Sequence, residues 1–484
     1  MRGRGASDQV NYHEKVIRTF AEQLPAPDFS DYLSATTPGY HVLLAGVARV
    51  LSDGRVALQL AGSLFTLGLV ALVAGCGASW TGSARRGVLL ALPLVCSLYV
   101  VSAGVWLLPD NAAWLCVAAL LALLLRSGSR GTIIAAGAVL VALVMFRQIH
   151  VWAAGVVWAA AWVSGSLVRA GTPAPADERA ALFHPADLLP ERARAWLGRV
   201  ALGFGATVPA AALLGWFYQL WGGHLTPPTF VGWYSPGIQW ATPAFVLSLV
   251  GIVGVFHAGW LWPLAGHAWR AHRVALVVAV GLGVLAAGIP ETTYSFEAGR
   301  FSGIWTGVRA GPVLGGRTSV VLLALAPLGA ACVVLWLGGM DRRRRWIMLA
   351  ALAGFAAAQC ASEQLWQRYH EPFVLIWCAF AVALSNGAPA GTLPASSRFD
   401  RPMGAARVLG PLTLAGLLGL VTLLSLAKGA PATDHGFTPG NIEPPPDAGA
   451  SADPAGGGQT PVYDGRQSTL EGGPVGPGSE NRAP

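Results

Sequence analysis

Apolar runs separated by short polar connections fill residues 54–427 of the chain. They read as spans at 54–76, 87–108, 111–126, 131–146, 151–168, 198–220, 241–264, 274–290, 318–339, 346–361, 372–388 and 408–427. A bilayer core of ~30 Å is crossed by a helix of ~20 apolar residues. Backbone in lipid must pair with itself, because each unpaired amide or carbonyl costs several kcal/mol. The pattern therefore predicts an all-α, polytopic protein of about twelve transmembrane helices.

Residues 1–53 follow a different pattern. Tyr12, Val16, Phe20 and Leu24 recur at helical spacing, as do Tyr40, Leu44, Val47 and Leu51. Two juxtamembrane amphipathic helices are expected, with Thr37 capping the second and Pro38 in its first turn. They form an outer-loop platform ahead of a membrane domain at 54–428. From 429 to 484 the chain turns to Pro, Gly, Asp and Ser, too few apolar groups to bury, and disorder is expected.

Composition sharpens this picture. Of the 484 residues 54% are hydrophobic and 12% charged, about half the charge of a soluble domain. The net charge of +8 points to topology and not to nucleic acid. Arg85, Arg86, Arg126, Arg130, Arg270, Arg273 and the run Arg342 to Arg345 sit in alternate connections, as do the arginines of 169–199 and 389–407. Only Arg147, Arg300, Arg309, Arg317 and Arg368 fall in the connections between them. By the positive-inside rule the arginine-rich side is cytoplasmic, which sets residues 1–53 and the C-terminal tail outside. The six cysteines lie in or beside apolar runs without a CxxC or Cys/His grouping, so neither a disulfide framework nor a zinc site is expected. No Walker, G-x-S-x-G or H-E-x-x-H motif occurs, against an ATPase, a serine hydrolase or a zincin.

Polar residues with chemical potential gather in the outer connections. Asp8 with Tyr12, His13 and Glu14 sets an acid near an imidazole, which suits general base chemistry; a solvated helix start capped by Asp8 has the same spacing. Asp28, Asp31, Ser34, Thr36, Thr37 and His41 form a second group, readable as a metal or acid–base site or as an ordinary polar loop. Arg147, Gln148 and His150 interrupt apolar sequence, where an ionisable group costs ~2.5–3.5 kcal/mol unless it faces a cavity. Snorkelling to the interface is the alternative. Glu363 to Glu371 carries Arg368, Tyr369 and His370, a set suited to a phosphate or pyrophosphate group or to an aromatic belt. The loop 291–317 adds Glu291, Tyr294, Glu297, Arg300, Arg309 and Arg317.

Three motifs occur in order: Asp8 with Tyr12-His13, then Thr36-Thr37-Pro38-Gly39-Tyr40, then Phe146-Arg147-Gln148 with His150 and Trp152. Together they resemble the polytopic GT-C glycosyltransferases, most closely the dolichyl-phosphate-glucose α-1,2-glucosyltransferase type and its bacterial relatives. That type opens its first outer loop with Asp-Glu-x-Phe-His; here one extra residue separates Asp8 from Tyr12-His13, and Gln9 replaces the Glu. Glu363 to Tyr369 are similar to the family's late Arg-Tyr loop, so the resemblance runs over most of 8–385. It implies transfer of a sugar from a polyprenyl-phosphate donor to a glycan or lipid-linked acceptor outside the cytoplasm of a bacterial inner or plasma membrane. Asp8 would be the general base and Arg147 and Arg368 would neutralise the departing phosphate. His13, Gln148, His150 and Tyr369 would contact sugar or phosphate. No nucleotide is expected, and a divalent metal is left open. The family carries a transmembrane helix ahead of this loop, so an in-frame apolar segment upstream of Met1 is expected, the alternative being an N-terminal segment exported unaided with Arg2 and Arg4. A transporter or lipid flippase, or a non-catalytic assembly protein, shares the many spans and intramembrane arginines.

Overall fold

The computed structural model describes residues 7–166, 193–233, 237–362, 364–386 and 400–427. It opens with a π-helical turn, Gln9–His13, continuous with α1 (Glu14–Gln23), followed by α2 (Gly39–Val50). The helices after it are α3 (Arg55–Thr81), α4 (Ala84–Cys96), α5 (Leu98–Val105), α6 (Asp110–Arg126), α7 (Arg130–Phe146) and α8 (Ala153–Ser166). Then come α9 (Ala193–Leu220), α10 (Thr242–Phe256), α11 (Ala258–Gly288), α12 (Ile304–Ala310), α13 (Val320–Gly338), α14 (Arg342–Cys360), α15 (Gln367–Ser385) and α16 (Asp400–Ala427). A two-stranded antiparallel hairpin, β1 (Val313–Leu314) and β2 (Thr318–Ser319), precedes α13. The expected tail at 429–484 lies outside the described residues, as do parts of the connections at 169–199 and 389–407.

Among the described residues each segment expected to span is largely helical, but the helices are not uniform. Among the described residues, five helices are long and apolar enough to cross a membrane: α3, Trp196–Leu220 of α9, Trp269–Gly288 of α11, α13, and Gly404–Ala427 of α16. Counting two bent pairs as one span each, α4 with α5 (73°) and α10 with Ala258–Gly266 (94°), gives seven. Apolar helices of this kind fit an integral membrane protein. The other expected spans do not add to that number: α6 and α7 have 17 residues, below the ~20 a straight crossing takes, and α8 is described only as far as Ser166. Two others begin with polar turns, Arg342 to Arg345 in α14 and Gln367 to Glu371 in α15.

Close packing holds the frame. Helix α13 lies along α10 and α11, α9 along α7 and α8, and α3 along α4. Where α10 crosses α13, a Cβ on Gly329 would sit 1.8 Å from the Leu247 carbonyl oxygen, and one on Gly251 2.6 Å from that of Leu325. Only glycines allow the two backbones to approach so closely.

The N-terminal helices dock on protein. Val16 and Phe20 of α1 and Ala45 of α2 are buried with Tyr32, Phe217 and Trp221 at the end of α9, while Ile17, Tyr40 and Leu44 join the main core. The expected face is thus partly right, with Ile17 buried and Leu51 exposed. Thr37 does not cap α2: Pro38 is the N-cap residue. The Thr37 hydroxyl donates to the Val144 carbonyl at 2.6 Å, in the last turn of α7, where carbonyls lack helical partners.

Candidate active site

Four helix ends deliver the charged side chains. Asp8 precedes the π turn, Asp110 opens α6, Arg147 ends α7, and Arg368 and Tyr369 lie in the first turn of α15. At Arg147 the backbone turns extended (φ −153°, ψ 109°), and a short 3-10 turn, Gln148–Trp152, leads into α8. The polar residues inside this apolar sequence thus occupy a helix break. Asp110 follows Pro109 at a helix start, where a carboxylate is favoured by the helix dipole.

The π turn accounts for the extra residue between Asp8 and His13. Its amides bond five residues back, as Glu14 N–H does to the Gln9 carbonyl, so residues five apart share a face. Asp8 makes no side-chain cap bond to this turn. Its carboxylate instead accepts from Arg368 at 3.0 Å, which decides between the base-and-partner spacing and simple capping in favour of a tertiary contact.

Arg368 also donates to Asp110 at 3.2 Å, and Asp110 is paired with Arg147. Tyr369 lies under both guanidiniums, 5.2 Å from that of Arg147 and 5.7 Å from that of Arg368. Two carboxylates and two guanidiniums thus form one charge-balanced cluster. Asp110 keeps 7% of its side-chain surface exposed, Arg147 16%, Arg368 21% and Asp8 25%. Burial alone would raise the Asp110 carboxyl, but Arg147 and Arg368 outweigh it and hold it at about 2. Burial likewise opposes charge on Arg368, while Asp110, Tyr369 and Asp8 hold its proton more firmly than usual.

The remaining expected residues divide by what they touch. His13 is buried near the cluster; burial drives it down to about 4, against the pull of Asp8 and Asp110. Its Nδ1 lies 2.9 Å from His41 Nε2. His150 is also buried, pushed down to about 3 by burial and by Arg147. Its Nδ1 accepts the Trp152 indole N–H at 3.2 Å, which places its proton on Nε2, an atom without a hydrogen-bond partner among the described residues. Gln148 is committed to the backbone. Its oxygen accepts from Thr37 N–H at 3.1 Å, and its amide donates to the Ala35 and Leu225 carbonyls at 2.8 Å each. It clamps two loops beside the cluster.

The second sequence group disperses. Asp28 accepts from Ser30 N–H in a local turn, and Asp31 holds Thr229 through both its amide and its hydroxyl. Ser34 and Thr36 bond each other. The 291–317 loop pairs Glu291 with Arg300 and sets Arg309 over Tyr294. It reaches α15 through Ile304 N–H, which donates to Gln367, and the Trp305 indole, which donates to the Leu365 carbonyl. Glu363 lies outside the described residues. Among those described, no group of three or more His, Cys, Asp or Glu has the geometry to hold a metal.

Sequence reasoning missed Asp110. It was read only as part of a short connection, although Pro109-Asp110-Asn111 is the one acidic interruption between residues 54 and 176. Comparison with protein-family profiles, characterised proteins and solved structures finds no match for this chain.

Proposed function

We propose that this protein is a membrane glycosyltransferase that moves a sugar from a polyprenyl-phosphate donor to an acceptor hydroxyl on the non-cytoplasmic face of a bacterial inner or plasma membrane. The observation that carries the reading is the cluster itself. Two guanidiniums flank one tyrosine and share one buried carboxylate, while a second carboxylate, Asp8, is held through Arg368. Arginine pairs of this kind suit a phosphate oxygen set, and the partly exposed Asp8 suits a proton acceptor. The arginine distribution supports the outward orientation, and a count of about twelve spans belongs to the same reading.

In this mechanism the donor phosphodiester takes the Arg368 donors that Asp8 occupies without substrate. Released from its guanidinium, the Asp8 carboxylate is open to the acceptor hydroxyl. It accepts the acceptor hydroxyl proton as the acceptor oxygen bonds to the anomeric carbon. The bond from that carbon to the phosphate oxygen breaks, and the polyprenyl phosphate leaves with the electron pair. The negative charge lost from Asp8 reappears on the phosphate, so the site's net charge is constant and Arg147 and Arg368 meet the new charge. Asp110 stays ionised and holds both arginines.

The test is sugar transfer from a polyprenyl-phosphate-sugar in vesicles. Asp8→Asn should abolish transfer with the protein still inserted; undiminished transfer would remove Asp8 from the chemistry. The two bent helix pairs, 73° at Ser97 and 94° at His257, favour a second reading, a transporter or flippase, because broken helices are common there. That reading requires substrate to cross the vesicle membrane with its covalent structure intact.

A further inference from the structure

Outside the charged cluster the structure holds a second buried pair, His13 and His41. We infer that His41 is a positioning residue, whose Nε2–H donates to His13 Nδ1 and so fixes the His13 proton on Nε2, the ring nitrogen away from His41; its role in transfer rests on the glycosyltransferase reading, while the proton assignment does not.

The geometry selects a hydrogen bond. The two nitrogens are 2.9 Å apart, the ring centroids 5.2 Å apart and the planes inclined by 21°. Rings meeting face to face would not bring two nitrogens so much closer than their centroids, so the contact runs edge to edge. One ring must donate and the other accept. His41 is fully buried, and its other nitrogen, Nδ1, has no partner among the described residues. Phe20, Tyr32 and Tyr40 surround the ring. Were His41 to accept through Nε2, its proton would sit on Nδ1 as an orphaned buried N–H, the costlier outcome. Donation from Nε2 leaves only a lone pair unused there. His13 then accepts at Nδ1 and carries its proton on Nε2, since one ring nitrogen's bond sets the other's state.

His41 occupies Nδ1, so Nε2 is the nitrogen left for other partners. The charged groups that act on His13 are Asp8, Asp110, Arg147 and Arg368. The pair supplies the cluster with a neutral N–H donor of fixed orientation, able to bond a phosphate or sugar oxygen without adding charge. The sequence offered His13 and His41 in separate groups, 28 residues apart; the docking of α1 on α2 joins them.

The experiment is nitrogen NMR of histidine-labelled protein in nanodiscs at neutral pH, with His13→Gln to assign the signal among the ten histidines, alongside vesicle transfer. The expected parent spectrum has His13 protonated at Nε2. In His41→Phe that preference should be lost and transfer should fall about tenfold or more. His41→Gln, which keeps an N–H donor, should restore both. A parent His13 protonated at Nδ1 overturns the assignment, as does His41→Phe with parent tautomer and parent transfer. A parent with the expected tautomer but no transfer sinks the glycosyltransferase reading and leaves the histidine pair standing.

Discussion

Asp110 is the residue on which the arrangement of charges depends, since among the described residues it is the carboxylate paired with both arginines. Removing one partner of a buried ion pair costs about 3–5 kcal/mol because the other charge is left uncompensated; the partial exposure of both arginines places Asp110→Ala toward the low end. The expected outcome is a lower unfolding temperature in detergent together with loss of transfer, and a variant of parental stability would show that the arginines find other partners. Acid acts through the histidines. His13 is held at about 4 and His150 at about 3, against an ordinary 6.5, so between those values the unfolded chain binds protons that the fold refuses. Stability therefore rises with pH through this window and is lost as pH falls below about 6.5. Asp110, held at about 2, adds its loss only below the ordinary aspartate range. Thermal unfolding followed from pH 7.5 down to 4.5 should show the decline, and His13→Gln should make it shallower, His150 keeping its share; a parent profile without slope would contradict the burial of these rings. At this scale the sequence showed which side chains could act, because arginine and histidine stand out in apolar runs. It could not show that Gln148 is occupied by backbone groups, or that Asp110 lies opposite Arg147, since both depend on contacts between distant segments.

Elements position these groups through their ends and breaks. The π turn brings Asp8 round to Arg368, the extended break at Arg147 frees its side chain from α7, and the 301–305 loop braces the start of α15. In that loop Gly303 has φ +57°, and a Cβ there would lie 1.9 Å from the Gln367 side-chain oxygen. Gly303→Ala should displace Gln367, the residue before Arg368, and weaken donor use while the protein still inserts. Parental donor dependence would show that the loop is not a brace. Gly329→Val tests the frame at the α10–α13 crossing, where insertion or stability should fall sharply; a well-folded variant would place the crossing elsewhere. The helices themselves were legible because apolar runs leave the backbone no other choice in lipid. The π turn was not, for a single inserted residue has no periodicity of its own, and Thr37 was misread as a cap because its pull toward Val144 is tertiary.

For the whole molecule, apolar composition and arginine placement predicted a helical membrane protein, and the described helices agree with that description. Five to seven of the described helices are long and apolar enough to cross a membrane, because bent pairs and helices of 17 residues divide the apolar runs that hydropathy joins. The central claim is that Asp8 and a lipid phosphate compete for Arg368. It is tested most directly by binding polyprenyl phosphate to the purified protein and its variants by native mass spectrometry. The account predicts that Asp8→Asn binds the lipid more tightly than the parent, because Arg368 loses its resident carboxylate, and that Arg368→Ala binds it more weakly. Equal or weaker binding by Asp8→Asn, with Arg368→Ala unchanged, would contradict it.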